Sequence, residues 1–148
     1  MADASKTSGF SAAEKAAMKE AAAERRAQAK RAKEIGAAAA DLSDVMAKIA
    51  EMPEAERSIA TKVHEIVLAA CPDLAAKTWY GMPAYALNGK TICFFQSASK
   101  FKYRYSTLGF QEAANLDEGD FWPVAYAVLA IDKATEKRIT ELVKRAVS

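Results

Sequence analysis

An Asn-Gly pair at residues 88–89 constrains this chain most, because it joins two stretches with the composition of β-strands. These stretches are residues 85–87 and 90–95, where tyrosine, isoleucine and phenylalanine recur. A two-residue hairpin turn of type I′ needs positive φ at both central positions, and Asn-Gly meets that need best. We therefore predict a β-hairpin here and an antiparallel sheet in the middle of the chain.

Three further strands are predicted around this hairpin. Residues 78–80 can open the sheet, and the following Gly-Met-Pro at 81–83 should break it, because proline has no N–H for the ladder. Residues 101–105 alternate aromatic and cationic side chains with a period of two, which indicates a strand with one solvent-facing side. The last strand is expected at residues 125–129, behind Trp122-Pro123.

The N-terminal residues 1–36 are predicted to form a flexible, basic, alanine-rich helical extension. Ser11 and Glu14 have the spacing of a capping box, so a helix should begin there and end near Gly36. Met18 and Ile35 are its only large apolar residues, so no apolar stripe indicates packing against a core. We expect a solvated helix that can be removed from the rest of the protein.

A compact domain is expected over residues 41–148. Asp41 is predicted to cap one helix, and Pro53 suits the first turn of the next. A short helix is predicted at 109–116, and Asp132 should cap a C-terminal helix. The fold class is thus α+β, a mostly antiparallel sheet of about five strands with helices packed on one face.

Charge and composition narrow the function classes. Residues 1–35 hold eight Lys and Arg against five Asp and Glu, whereas the remainder is nearly neutral. No apolar run approaches the roughly 20 residues of a membrane span, and the N-terminus has no apolar signal segment. Cys71 and Cys93 form no CxxC motif, which is typical of reduced, cytoplasmic proteins. We expect a cytoplasmic protein with no membrane partner.

The spacing W-x-G-x-P-x-Y at Trp79, Gly81, Pro83 and Tyr85, with the aromatic stretches behind it, resembles the YdhG-like domain, catalogued as a domain of unknown function. The similarity covers roughly residues 42–147. It implies an α+β sandwich, and some members are described as frataxin-like iron chaperones. Iron is therefore the cargo that the resemblance implies, although the carboxylates available have no metal-ligand signature: Glu51, Glu54, Glu56, Glu112, Asp117, Glu118 and Asp120.

A candidate ligand site follows from the kinked aromatic segment 79–85. Gly81 permits close backbone approach and Pro83 fixes the local shape, so this segment can line a concave site. The predicted ligand-binding residues are Trp79, Tyr80, Met82, Pro83, Tyr85, Phe95, Tyr103 and Trp122. The alternative is that these rings are simply the core beneath the helices.

No catalytic constellation is recognisable. His64 and Cys71 share a predicted helix but lie seven residues apart, which is about 10 Å of rise, so they should not touch. Cys93 is expected in the core, and the acidic loop at 117–120 lacks the calcium-loop pattern. Walker, GxGxxG, HExxH and GxSxG motifs are missing from the sequence. We predict that the protein is not an enzyme.

We interpret the chain as a small binding or carrier module for a small ligand or a metal ion. The alternative is an accessory protein that contacts nucleic acid or another protein through the basic N-terminal helix. That helix carries Lys15, Lys19, Arg25, Arg26, Lys30, Arg31 and Lys33. Charge runs are usually only solvated, so nucleic acid is not the expected partner, and a homodimer is compatible with the sequence.

Overall fold

Five strands, each antiparallel to the next in the chain, form one sheet in this computed structural model, which describes residues 9–32 and 36–148. The α+β fold predicted from the sequence is confirmed. In chain order the elements are α1 (Ala12–Arg31), α2 (Ala37–Ala50), α3 (Glu54–Ala70), β1 (Ala75–Trp79), β2 (Met82–Leu87), β3 (Lys90–Gln96), β4 (Ser106–Phe110), β5 (Ala125–Val128) and α4 (Lys133–Ala146).

Two tight hairpins build the first half of the sheet. Asn88 and Gly89 have φ values of 52° and 80° between the paired residues Leu87 and Lys90, which confirms the predicted hairpin. Tyr80 and Gly81 repeat this geometry, with φ values of 53° and 75°. Positive φ at both central positions is the requirement of a type I′ turn. The chain therefore has a second hairpin where the sequence predicted a break.

Pro83 lies inside β2, which corrects the expectation that Gly-Met-Pro interrupts the sheet. It faces Thr78 on β1, whereas the register between β2 and β3 begins one residue later, at Ala84. A proline near the start of a strand removes little from the ladder, because the strand is not yet paired on both sides.

The predictions for residues 101–105 and 109–116 are both wrong. The first segment is a loop, in which Lys102 has a φ of 62° and the Tyr103 N–H donates to the Ala98 carbonyl at 2.8 Å. The strand comes afterwards, as β4, and ends at Phe110 within the predicted helix. Pairing of β4 with β3 on one side and with β5 on the other outweighs the local preferences of these two short segments.

Three helices, α2, α3 and α4, pack on one face of the sheet and enclose the hydrophobic core. The largest fully buried side chains of this core come from all layers: Val45, Val63, Val67, Tyr85, Phe95, Leu108 and Val143. Asp132 caps α4 as predicted, by accepting a hydrogen bond from the Thr135 N–H. α2 begins five residues earlier than predicted, after Gly36, so Asp41 lies within it and pairs with Arg31 at 2.6 Å.

α1 begins with the predicted capping box of Ser11 and Glu14. The expectation of a solvated helix without a docking face differs from the structure, because Ala17 and Ala21 are buried. A contact made by alanines leaves no stripe of large apolar residues in the sequence. The helix ends at Arg31 and not near Gly36, which precedes α2; Lys33 and Ile35 lie outside the described residues. None of the described helices combines the length and apolarity needed to cross a membrane.

Candidate ligand-binding site

A cavity of about 600 Å³ lies between the start of α1 and the sheet face that points away from α2, α3 and α4. Six of its twelve lining residues are aromatic: Phe10, Trp79, Tyr80, Phe94, Phe101 and Tyr103. Met18 and Met82 add flexible apolar surface. Nearly half of the chain's aromatic rings therefore meet at one place outside the core.

Side chains alternate between the two faces of a strand, and this alternation places Trp79, Met82 and Phe94 on the same face of the sheet. Trp79 and Met82 are directly paired across the first hairpin, and Phe94 pairs with Ala84, two residues further along β2. Side chains two apart share a face of a strand, so these three form one surface. Trp79 meets the Tyr80 ring at 90° with centroids 4.9 Å apart, and the Phe94 ring at 56° and 5.2 Å.

Gly109 on β4 makes room for Phe94. A Cβ at this glycine would overlap the Phe94 ring, so the ring lies directly on the backbone of the neighbouring strand. This explains why glycine occurs in the interior of a strand, where it otherwise weakens the ladder.

Polar contacts fix α1 against the first hairpin. The Glu24 carboxylate accepts a hydrogen bond from the Gly81 N–H at 2.7 Å, and Gln28 donates to the Thr78 carbonyl at 3.0 Å. Glu20 pairs with Lys48 at 2.6 Å and with Lys100 at 3.2 Å. α1 is thus attached to the turn, to α2 and to the loop after β3, and its first turns extend over the aromatic face.

The two carboxylates respond differently to this position. Burial opposes ionisation of Glu20, but hydrogen bonds and charges from Lys48 and Lys100 outweigh it and lower the pKa of this group. Burial raises the pKa of Glu24, and the hydrogen bond from the Gly81 N–H only partly offsets that rise. Glu24 is therefore the more readily protonated of the two.

The loop after β3 supplies Phe101 and Tyr103 to the cavity. Its start is attached to α3, because Glu56 accepts hydrogen bonds from the Ser97 hydroxyl and from the Ser99 N–H at 3.0 Å. Burial works against the ionised form of Glu56, but these hydrogen bonds prevail and lower its pKa. Tyr103 is 53% exposed, so the loop presents an aromatic ring at the cavity mouth rather than burying it.

The structure divides the predicted ligand-binding residues into two sets. Those that line the cavity are Trp79, Tyr80, Met82 and Tyr103. Those that lie in the hydrophobic interior or against it are Pro83, Tyr85, Phe95 and Trp122. The prediction that all eight meet is therefore corrected, because neighbouring residues of a strand point to opposite faces of the sheet.

Sequence reasoning missed Phe94, Phe101 and the contribution of α1. Phe94 and Phe95 are adjacent, and their assignment depends on a register shift in β2 between Tyr85 and Ala86 that the composition does not reveal. The signal that could have identified Phe94 is the polar Gln96 two residues later, because a polar residue on the same side of a strand indicates the face that points away from the core.

His64 and Tyr85 form a separate polar contact in the core. His64 Nδ1 lies 2.8 Å from the Tyr85 hydroxyl, and burial lowers the pKa of His64 and raises that of Tyr85. Cys93, opposite Tyr85 on β3, has its pKa raised to about 12 by burial, so its thiol is protonated and unreactive at neutral pH.

The carboxylates considered for iron are dispersed. Within residues 9–32 and 36–148, no three His, Cys, Asp or Glu side chains come together in a way that could hold a metal ion. Glu56 accepts hydrogen bonds from Ser97 and Ser99, and Glu118 lies 3.8 Å from Arg145. The described residues therefore do not fit the metal site that the resemblance implies.

No protein-family model, curated protein or solved structure matches this chain. The resemblance to the YdhG-like domain consequently stays a prediction.

Proposed function

We propose that this chain is a binding module that takes up a small organic ligand in the cavity between α1 and the aromatic face of the sheet. The observation that carries the proposal is the gathering of six aromatic rings around about 600 Å³ of space outside the core. Ligand pockets in proteins typically enclose ~300–1,000 Å³ and are lined mainly by apolar and aromatic side chains.

The exposure of the cavity rim supports the same proposal. Phe10, Met18 and Tyr103 line the cavity and are 53%, 39% and 53% exposed. Large apolar side chains that remain exposed together indicate a binding surface.

The free thiols of Cys71 and Cys93 support a cytoplasmic setting for the protein.

The lining chemistry favours binding over catalysis. Tyr80, Tyr103, Gln96, Ser11 and Glu14 are its polar members, and they offer hydrogen bonds to a ligand without pairing a nucleophile with a base. An organic ligand also fits the surroundings better than iron, because the carboxylates near the sheet are engaged elsewhere.

Fluorescence of Trp79 offers a direct test. In a Trp122→Phe protein Trp79 is the only tryptophan, and the neutral apolar probe N-phenyl-1-naphthylamine accepts energy from it when bound nearby. We expect saturable quenching of Trp79. Tyr103→Ala should weaken binding about tenfold, since an aromatic contact contributes roughly 1 kcal/mol beyond its area.

Phe121→Ala is the matched control, because Phe121 is 94% exposed and lies outside the cavity. Like Tyr103→Ala, this substitution removes an exposed aromatic ring, and it should leave the affinity for the probe unchanged. Unquenched Trp79, or equal effects of the two substitutions, would contradict the proposed site.

A second candidate function rests on the outward face of α1. Lys15, Lys19, Arg26 and Lys30 are exposed and fall within about 60° of one another around the helix axis. Glu20 and Glu24 point the other way, into the contacts with Lys48, Lys100 and Gly81. The helix therefore separates its charges and presents a positive stripe, which suits the phosphate backbone of nucleic acid.

Salt dependence tests this second function. Four phosphate contacts on duplex DNA predict a slope of about −3.6 for log K against log salt. Replacing Lys19 and Arg26 by glutamine should reduce the slope by about half, whereas replacing the exposed Lys133 and Lys137 of α4 should not. Binding that is insensitive to salt, or to the α1 substitutions, would exclude this role.

A further inference from the structure

We infer that the cavity selects ligands that carry an alkylated ammonium group over neutral ligands of the same shape. The inference rests on the proposed function and names the chemical class of its ligand. The observations behind it are the charge of the lining, the arrangement of its rings and the position of the nearest cations.

The charge of the lining has one sign. Among the twelve lining residues the only charged side chain is the carboxylate of Glu14, and the set includes no lysine, arginine or histidine. A ligand with a negative group would therefore lie near a carboxylate with no cation in the lining to pair with it. A positive group gains from the same arrangement.

The capping box holds Glu14 in place at the cavity. Its Oε1 accepts a hydrogen bond from the Ser11 N–H at 2.8 Å, and its own N–H donates to the Ser11 hydroxyl at 3.1 Å. These reciprocal bonds fix the side chain against the first turn of α1, so its charge is presented at the rim without further ordering.

The rings provide the attraction that distinguishes a cation from a neutral group. The faces of aromatic rings carry partial negative charge, and alkylated ammonium ions bind where several faces converge. The Trp79 plane is perpendicular to that of Tyr80 and inclined by 56° to that of Phe94, so these rings point their faces in different directions. Phe101 and Tyr103 add two further rings from the loop.

Two cationic side chains of the protein lie over aromatic rings at this end of the sheet. Lys100 Nζ lies 5.7 Å from the centroid of Phe101, and the Arg104 guanidinium lies 5.1 Å from that of Tyr105. The charge of Lys100 is offset by Glu20 at 3.2 Å. Lys100 is the cation that lies over a lining ring, and its ion pair with Glu20 weakens the positive field that it adds to the cavity.

The test compares two compounds of equal shape. Phenyltrimethylammonium and tert-butylbenzene differ in a quaternary nitrogen or carbon, and each is used to displace N-phenyl-1-naphthylamine from the Trp122→Phe protein. We expect the cation to bind about tenfold more tightly, as several ring faces contribute. Glu14→Gln should reduce that preference severalfold, because glutamine also completes a capping box but carries no charge.

Tyr103→Ala should lower the affinity for the cation more than the affinity for the neutral compound, and the control Phe121→Ala should change neither affinity. Equal or tighter binding of tert-butylbenzene would overturn the inference and leave the proposed function standing. Naphthylamine binding that neither compound displaces has the same consequence. If the naphthylamine itself does not quench Trp79, both the inference and the proposed function fail. A cation preference that Tyr103→Ala does not alter would place the binding elsewhere and also overturn the inference.

Discussion

Gly81→Ala probes the contact that attaches α1 to the sheet. Gly81 has a φ of 75°, and a Cβ there would overlap the Glu20 carboxylate and lie 2.6 Å from Lys100 Nζ. Gly89 is a natural control, because its φ of 80° imposes the same backbone strain while no atom lies within 4 Å of its added Cβ. Any difference between the two alanine substitutions therefore reports the contact and not the turn.

The expected magnitude has two parts. The left-handed conformation costs an alanine about 1–2 kcal/mol at either position. At Gly81 the flexible Glu20 side chain must also move away, and it then loses a partly exposed ion pair with Lys100. A pair of this kind contributes up to about 1 kcal/mol. Gly81→Ala should therefore lower the free energy of unfolding by about 2–3 kcal/mol, and Gly89→Ala should lower it by about 1–2 kcal/mol.

Urea denaturation followed by circular dichroism measures both values, and the melting temperatures should differ by about 2–4 °C. In a Glu20→Ala background most of the excess cost of Gly81→Ala should disappear, because the carboxylate that it displaces is gone and the flexible end of Lys100 can move away. Equal costs in the parent protein, or an excess that persists without Glu20, would refute the docking that we describe.

Three further predictions concern stability. Gly89→Val should lower the free energy of unfolding by about 2 kcal/mol, because a β-branched residue resists positive φ, and an unchanged urea midpoint would contradict the turn assignment. Burial lowers the pKa of His64 from 6.5, so the unfolded chain binds a proton more readily than the folded protein does. The free energy of unfolding should therefore fall as the pH drops below about 6.5, by at most ~1.4 kcal/mol per pH unit. His64→Gln should flatten that slope in urea titrations at pH 7 and pH 5, and an unaltered slope would assign it to other groups. Deleting residues 1–36 should leave a folded domain that is about 2 kcal/mol less stable by the same assay. Among the described residues of α1 only Ala17 and Ala21 are fully buried, and the other contacts of α1 with the sheet are part-buried hydrogen bonds and ion pairs. Loss of cooperative unfolding would show that α1 is integral to the fold.

The parts of the fold that the sequence predicted correctly are those with strong local signals. Asn88-Gly89 requires a tight turn, and the side chain of Asp132 caps α4 through a hydrogen bond three residues away. The fold class follows from these turns and from the amphipathic helices around them. Each of these signals depends on a few neighbouring residues and on no distant contact.

The errors occur where distant contacts decide. Phe101 to Tyr105 alternates as a strand does, yet the pairing partner of β3 is the segment that follows it. Gly109 occupies that strand because the Phe94 ring lies against it, which no local rule can reveal. The docking face of α1 consists of two alanines and polar groups, so its apolar pattern is too weak to read.

Only half of the predicted ligand-binding residues line the cavity, for a related reason. Trp79 and Met82 share a face with Phe94, whereas Pro83 and Tyr85 share a face with Phe95. A sequence shows that these aromatics gather, but the register of the strands decides which of them meet.

The most direct measurement for the central claim uses methionine methyl groups as reporters. Met18 and Met82 line the cavity, whereas Met46 lies exposed on α2 and Met52 packs against the core. In a methyl-labelled protein titrated with N-phenyl-1-naphthylamine, ring currents should shift the carbon–proton resonances of Met18 and Met82 and leave those of Met46 and Met52 in place. Shifts confined to Met46 or Met52, or no shift at saturating probe, would contradict a ligand site between α1 and the aromatic face.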